Sequence, residues 1–169
     1  VKRSGGLNDF INTYNSFTDT GEPSCSSVSV QDLFQHMVSL LEDELNRQGV
    51  QVEVKVTPPG LQLLADEKLV EQIIINLIKN SLYALEMKED AAISLRAWQT
   101  EDKVVLEVGD NGKGISMELL DTVFTPFFTT RKGGSGIGLS LARQIMWMHN
   151  GSIQVRSKEG EYTTFTLMF

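Results

Sequence analysis

Asn76 and Asn80 stand four residues apart within an apolar run, so on a helix both amides project from nearly one face, close to the core stripe. An amide oxygen is a hard neutral ligand suited to magnesium, which keeps several waters and takes few protein ligands when it also holds phosphates. Helix capping or a mutually satisfied polar pair would use the same two residues. Asp110-Asn111-Gly112-Lys113-Gly114-Ile115 follows Glu107-Val108-Gly109 and puts a carboxylate and two glycines where a strand must turn. A buried carboxylate there can accept a hydrogen bond from an exocyclic amine such as that of adenine, and the glycines admit close backbone approach. An ordinary Asp-Gly turn is spelled the same way. Gly134-Ser135-Gly136-Ile137-Gly138 opens another helix, whose first N–H groups and positive dipole end suit phosphate oxygens.

These residues need elements to position them. Leu7, Phe10, Ile11, Tyr14 and Phe17 recur at helical spacing, and the pattern stops at Asp19-Thr20-Gly21-Glu22-Pro23. A small polar linker then leads into a short strand over 28–30. Leu33, Met37, Leu40, Leu41 and Leu45 mark a second helix, ended by Gly49. Val50, Val52, Val54 and Val56 alternate with polar residues as a half-buried strand, and Pro58-Pro59-Gly60 turns the chain toward a second short strand, an expected hairpin. Asp66 can cap a long helix over 67–87 whose core stripe is Val70, Ile73, Ile74, Leu77 and Ile78. Strands over 92–99 and 103–108 should pair antiparallel. Between 110 and 138 the periodicity disappears over a stretch longer than ordinary connections, as functional loops often are. A helix over 136–149 carries Leu141, Ile145 and Met148 and stops at Asn150-Gly151, before a hairpin over 153–157 and 162–168. Trp98, Trp147, Met146 and Met148 read as core.

Size and charge narrow the classes. The 169 residues, 41% hydrophobic, suit one compact domain. With 15 basic against 22 acidic residues the formal charge is −7, which argues against a nucleic-acid binder. Cys25 is the single cysteine, so no internal disulfide is possible; a reducing compartment and a buried or idle thiol follow. No run approaches the roughly 20 apolar residues of a membrane span, so no membrane contact by this chain is expected and any anchor would belong to another part of a parent protein.

The asparagine pair, the Asp-Gly turn and the glycine-opened helix occur in one order, and with them the sequence resembles the catalytic domain of sensor histidine kinases, within the wider gyrase, Hsp90 and MutL group. The resemblance covers 29–169. Ile75-Asn76-Leu77-Ile78-Lys79-Asn80-Ser81 resembles the N box, the segment 110–115 the first glycine box, Phe124-Thr125-Pro126-Phe127-Phe128 the F box, and 134–139 the second glycine box. Thr129-Thr130-Arg131-Lys132-Gly133-Gly134, His149-Asn150-Gly151-Ser152-Ile153 and Thr163-Thr164-Phe165 also match the family's phrasing. Two departures stand out: Tyr83 lies where many relatives carry Lys or Arg, and Tyr162 replaces a glycine common before the paired threonines.

The resemblance implies a two-layer α/β sandwich of the Bergerat type, with a mixed, mostly antiparallel sheet covered on one face by three helices. It implies ATP and Mg2+ as cofactors, with Asn80 on the metal, Asn76 supporting the metal and phosphate region, and Asp110 reading the adenine amine. Gly112, Gly114 and Ile115 would shape that pocket, and Thr164 would support adenine recognition through the aspartate. Phe128, Thr129 and Thr130 belong to a lid over 124–135, Arg131 or Lys132 would meet the γ-phosphate, and Gly134, Gly136, Ile137, Gly138 and Leu139 would hold the polyphosphate. The glycine spacing is not that of a Walker A loop. Gyrase-like relatives carry a Glu where this chain has Asn76, and an amide is a poor base, which favours transfer to a supplied nucleophile over hydrolysis. ATP hydrolysis and non-catalytic nucleotide sensing are the alternatives. His36 and His149 both read as structural, so the phosphoacceptor is expected on a helical hairpin of the same kinase, upstream of Val1, with residues 1–22 as its end and linker and 23–169 as the ATP-binding domain. A response-regulator receiver domain, a homodimeric parent and a cytoplasmic location complete the expectation.

Overall fold

The computed structural model describes residues 22–131 and 133–169; the helix expected over 7–17 and Lys132 lie outside the described residues. The order is β1 (Ser26–Ser29), α1 (Val30–Leu40), α2 (Glu42–Arg47), β2 (Gln51–Thr57), β3 (Gln62–Ala65), α3 (Glu67–Ala84), β4 (Ala92–Gln99), β5 (Val104–Asp110), α4 (Met117–Leu120), α5 (Gly138–Met148), β6 (Ser152–Lys158) and β7 (Tyr162–Met168). Five strands form one sheet in the order β2-β4-β5-β7-β6, with β2 and β4 parallel and the remaining pairs antiparallel. α1, α3 and α5 lie side by side over it, α3 between the others, with α1 against β2, α3 against β5 and α5 against β6. This is the mixed, mostly antiparallel two-layer sandwich expected, with α2 and α4 as short additions.

The layers follow from alternation. Ile93, Leu95 and Ala97 on β4, Leu106 and Val108 on β5, and Phe165 and Leu167 on β7 point to the helices and are buried, meeting Val70, Ile73, Ile74, Leu77 and Ile78 of α3 in one core. Asp66 starts α3 as expected, its carboxylate accepting the Leu69 N–H at 3.3 Å. Ser29 starts α1 by accepting the Asp32 N–H at 3.4 Å, so Val30 is helical and the first strand lies earlier than expected. The second expected helix is broken into α1 and α2 at Leu41, whose ψ of 10° leaves the helical range.

β2 and β3 do not form a hairpin. β3 pairs antiparallel with β1, and β2 pairs parallel with β4 through the crossover containing α3. Burial decides between these partners: Leu61, Leu63 and Ala65 enter the core with Val28, and β3 pairs with β1 in a two-stranded sheet separate from the main one. Trp147 is also not core; it is 72% exposed, whereas Met146, one residue earlier, is fully buried. Cys25 is exposed. Among the described residues no helix is long and apolar enough to cross a membrane.

A tie between helices α3 and α5 sets the site. The Asp66 N–H donates to His149 Nε2 at 3.0 Å, while His149 Nδ1 bonds the Ile145 carbonyl at 2.8 Å. Nδ1 therefore carries the proton, and the end of α5 is pinned to the start of α3. The two helices run antiparallel, so α5 begins about ten residues along α3, which is where Asn76 stands.

Candidate functional site

One cleft gathers Asn76, Asn80, Tyr83 and Ala84 of α3, Asp110 at the end of β5, the turn at Lys113, Gly114 and Ile115, the segment after α4, the start of α5, and Thr163 and Phe165 of β7. Of the residues expected to serve it, Asn76, Asn80, Asp110, Gly114, Ile115, Phe128, Thr129, Thr130, Arg131, Gly134, Gly136, Gly138 and Leu139 line it. Gly112 lies behind the wall, and Ile137 is a buried residue at the head of α5.

Asp110 is 7% exposed. One carboxylate oxygen accepts the Ser81 hydroxyl at 2.9 Å and the other the Gly112 N–H at 2.9 Å. Burial raises its pKa above the ordinary 3.8, opposed by those two hydrogen bonds. Each oxygen keeps a lone pair, so an amine entering the cleft can be accepted by a carboxylate already oriented from behind. The glycine turn next to it is equally tight. Lys113 donates its N–H to the Ala84 carbonyl at 3.0 Å, and its own carbonyl accepts the Gly160 N–H at 2.7 Å. Gly114 has φ +67°, and a Cβ there would run into the Lys158 carbonyl, so only glycine closes this turn.

Thr164 is not in the cleft. β7 pairs Asp110 with Thr163 and Gly109 with Thr164, so Thr163 shares the face of Asp110 and Thr164 lies on the opposite face beside Gly109. Thr163 is 3% exposed, lines the cleft, and has its hydroxyl 2.9 Å from that of Ser157, which also accepts the Ile115 N–H at 2.8 Å. The signal was present in the sequence: Thr163, Phe165 and Leu167 have one parity, and the apolar pair had to face inward. Thr163→Val is expected to weaken nucleotide binding by about tenfold, and Thr164→Val by less than about twofold. Calorimetric titration of both variants with an ATP analogue reads this difference.

At the opposite end of the cleft, the Asn76 Nδ2 is buried without a hydrogen-bond partner. A buried amide left so is costly, and a phosphate oxygen or metal-bound water would satisfy it. A Cβ on Gly138 would overlap the Asn76 amide, so glycine lets the first turn of α5 meet α3 at this point. Asn80, one turn further on, is half-buried and faces the same space. Among the described residues no three His, Cys, Asp or Glu side chains converge, so a cation would be held by amide oxygen together with ligand phosphates; the donors present fit magnesium in that form.

The segment over the cleft is anchored at both ends. Phe124 packs edge-to-face on Phe165 with centroids 6.4 Å apart, and the Phe127 N–H donates to the Gly136 carbonyl at 2.9 Å. Lys113 and Ser81 lie within the first glycine box and the N box without an expected role of their own, Ser157 lies in no motif, and all three become visible only through their partners.

A sandwich with a buried carboxylate at one end of a cleft and the unpartnered Asn76 amide facing a helix start at the other has the two ends of a nucleotide-binding domain. A family model described as histidine kinase-, DNA gyrase B-, and HSP90-like ATPase matches residues 65–169. The chain belongs to that family and is a catalytic ATP-binding domain of the histidine kinase type. It is 31% identical over 167 residues to the sensor histidine kinase ZraS of Escherichia coli K12, a match covering 99% of this chain and 36% of ZraS. The catalytic domain of the histidine kinase ThkA, in a nucleotide-free form, is 26% identical with a TM-score of 0.78, covering 86% of this chain and 95% of that one. ThkA in complex with the response regulator protein TrrA shares the fold at a TM-score of 0.75 and 22% identity, over 96% of this chain and 47% of that one.

Proposed function

We propose that this domain binds Mg·ATP and presents the γ-phosphoryl group to a histidine on a helical hairpin of its parent kinase. The observation that carries the reading is the unpartnered Asn76 Nδ2 at the head of α5, in the same cleft as the buried Asp110 carboxylate. Asp110 accepts the adenine amine, with Thr163 beside it. Asn80 would hold the metal, and Asn76 together with the first N–H groups of α5 would meet the phosphates. The chemistry a magnesium ion would supply there is neutralisation of charge on the phosphate oxygens. In the reaction the bond from Pγ to the bridging oxygen breaks and ADP leaves with that electron pair, a bond from Pγ to an imidazole nitrogen forms, and the imidazole proton passes to solvent. Neither His36 nor His149 is among the residues that line the cleft, and both nitrogens of His149 are occupied. Asn76 cannot take a proton from water near neutral pH, which favours transfer over hydrolysis.

On this reading the domain works in the cytoplasm within a homodimeric parent, which passes the phosphoryl group to a response-regulator receiver domain. Titration with a non-hydrolysable ATP analogue, with and without Mg2+, tests the premise; no affinity at millimolar concentration would reject it. Phosphate released to water at the rate at which ATP is consumed would favour hydrolysis, and binding without either outcome would favour a sensing module.

A further inference from the structure

Two cations meet over one aromatic ring in the cleft. The Lys113 Nζ lies 3.9 Å from the centroid of the Tyr83 ring, and the Arg131 guanidinium carbon lies 5.2 Å from the same centroid. Tyr83 is one helical turn beyond Asn80, so the ring stands between the amide end of the cleft and the Asp110 end. Among the described residues neither cation has an acidic partner within ion-pair distance, although the chain as a whole is acidic. A ring face attracts a cation by its quadrupole but leaves its charge uncompensated, and two like charges held at one ring repel each other. Such a pair is at its most favourable with an anion within reach of both charges.

Lys113 has a fixed base. Its N–H is bonded to Ala84, the last residue of α3, and its carbonyl to Gly160 in the turn between β6 and β7. Arg131 comes instead from the segment covering the cleft, where its N–H is held by the Thr129 hydroxyl at 3.0 Å. We infer that Lys113, seated on Tyr83, is a phosphate-binding cation of this cleft and acts with Arg131 on the polyphosphate of a bound nucleoside di- or triphosphate. The ring holds the ammonium group at the position the phosphates reach and restricts its rotamers before binding, which lowers the ordering cost. This inference rests on the cleft being the nucleotide site.

The experiment is titration of the protein with ADP at low and high salt, for the wild type, K113M, K113R and Y83L. K113M is expected to bind ADP about tenfold more weakly at low salt, as for a lost charge-assisted contact to phosphate, with a shallower salt dependence than the wild type. K113R is expected to recover most of that loss. Y83L, which keeps both charges but removes the platform, is expected to weaken binding several-fold with the salt dependence retained. Equal ADP affinity for the wild type and K113M, or a K113M loss that salt does not alter, overturns the inference while nucleotide binding stands. A wild-type protein without affinity for ADP overturns the nucleotide reading itself.

Discussion

Asp110→Asn is expected to weaken ATP binding by about a hundredfold and, at neutral pH, to raise the thermal stability of the protein that carries it. The binding loss has two sources. The carboxylate accepts more strongly than an amide because it is charged, and the amide turns one of its two ends into a donor that opposes the donor of adenine. The fold tolerates the change: the Gly112 N–H keeps an oxygen to bond, and the Ser81 hydroxyl can rotate to accept from the new amide. The stability gain follows from the direction of the pKa. Burial raises the folded-state value above 3.8, so the folded protein binds that proton more tightly than the unfolded chain does. Stability from this group is therefore full below pH 3.8 and is lost as pH rises through the folded value, leaving a cost at pH 7 that asparagine removes. Thermal midpoints at pH 7 and pH 4 check this: the variant should exceed the wild type at pH 7, and the gap should narrow in acid. A lower midpoint for the variant at pH 7 would show that the carboxylate stabilises the fold, contrary to the burial argument.

Asn80→Ala is expected to remove the Mg2+-dependent part of ATP affinity and to lower phosphotransfer in the parent kinase by about a hundredfold or more, since several kcal/mol of charge stabilisation are at stake. Asn80 is half-buried and lies outside the apolar stripe of α3, so alanine leaves no cavity and improves helix propensity. A folded variant that still gains affinity from Mg2+ as the wild type does would show that Asn80 is not the metal ligand. The two variants divide the cleft by chemistry. Asp110→Asn should weaken binding with and without metal alike, whereas Asn80→Ala should act only when metal is present.

Tyr83 connects these two ends. In the sequence it was only a departure from the usual basic residue on this helix. In the fold it becomes the surface on which Lys113, fixed by the glycine turn, and Arg131, carried by the covering segment, come together. On the inference above, the positive charge that position 83 of α3 lacks is supplied from two loops instead.

Much of the domain was legible because it is written in local periodicity. The stripe of α3 predicted that helix and its Asp66 cap, and the alternation of β4, β5, β6 and β7 predicted both antiparallel pairings. The hairpin expected between β2 and β3 failed because alternation marks a strand without naming its partner, and the partner was decided by where Leu61, Leu63 and Ala65 could be buried. The family resemblance implies Thr164, whereas the parity of Phe165 and Leu167 puts Thr163 on the face of Asp110. Trp147 was read inward from composition, whereas helical phase turns Met146 to the core and leaves its neighbour in solvent.

By itself the amino-acid order determined the kinds of reacting group and their intervals along each element: two amides one turn apart, an acid at a strand end, glycines at the mouths of a turn and a helix. Only the tertiary structure decided that Gly138 would press against Asn76, that Thr163 would stand beside Asp110, and that two loop cations would share one ring. The reason is one of range. Helix phase and strand parity are set by steric and solvation forces acting over a few residues. The convergence of groups dozens of positions apart depends on which apolar surfaces bury one another, and many chain paths compete for that burial.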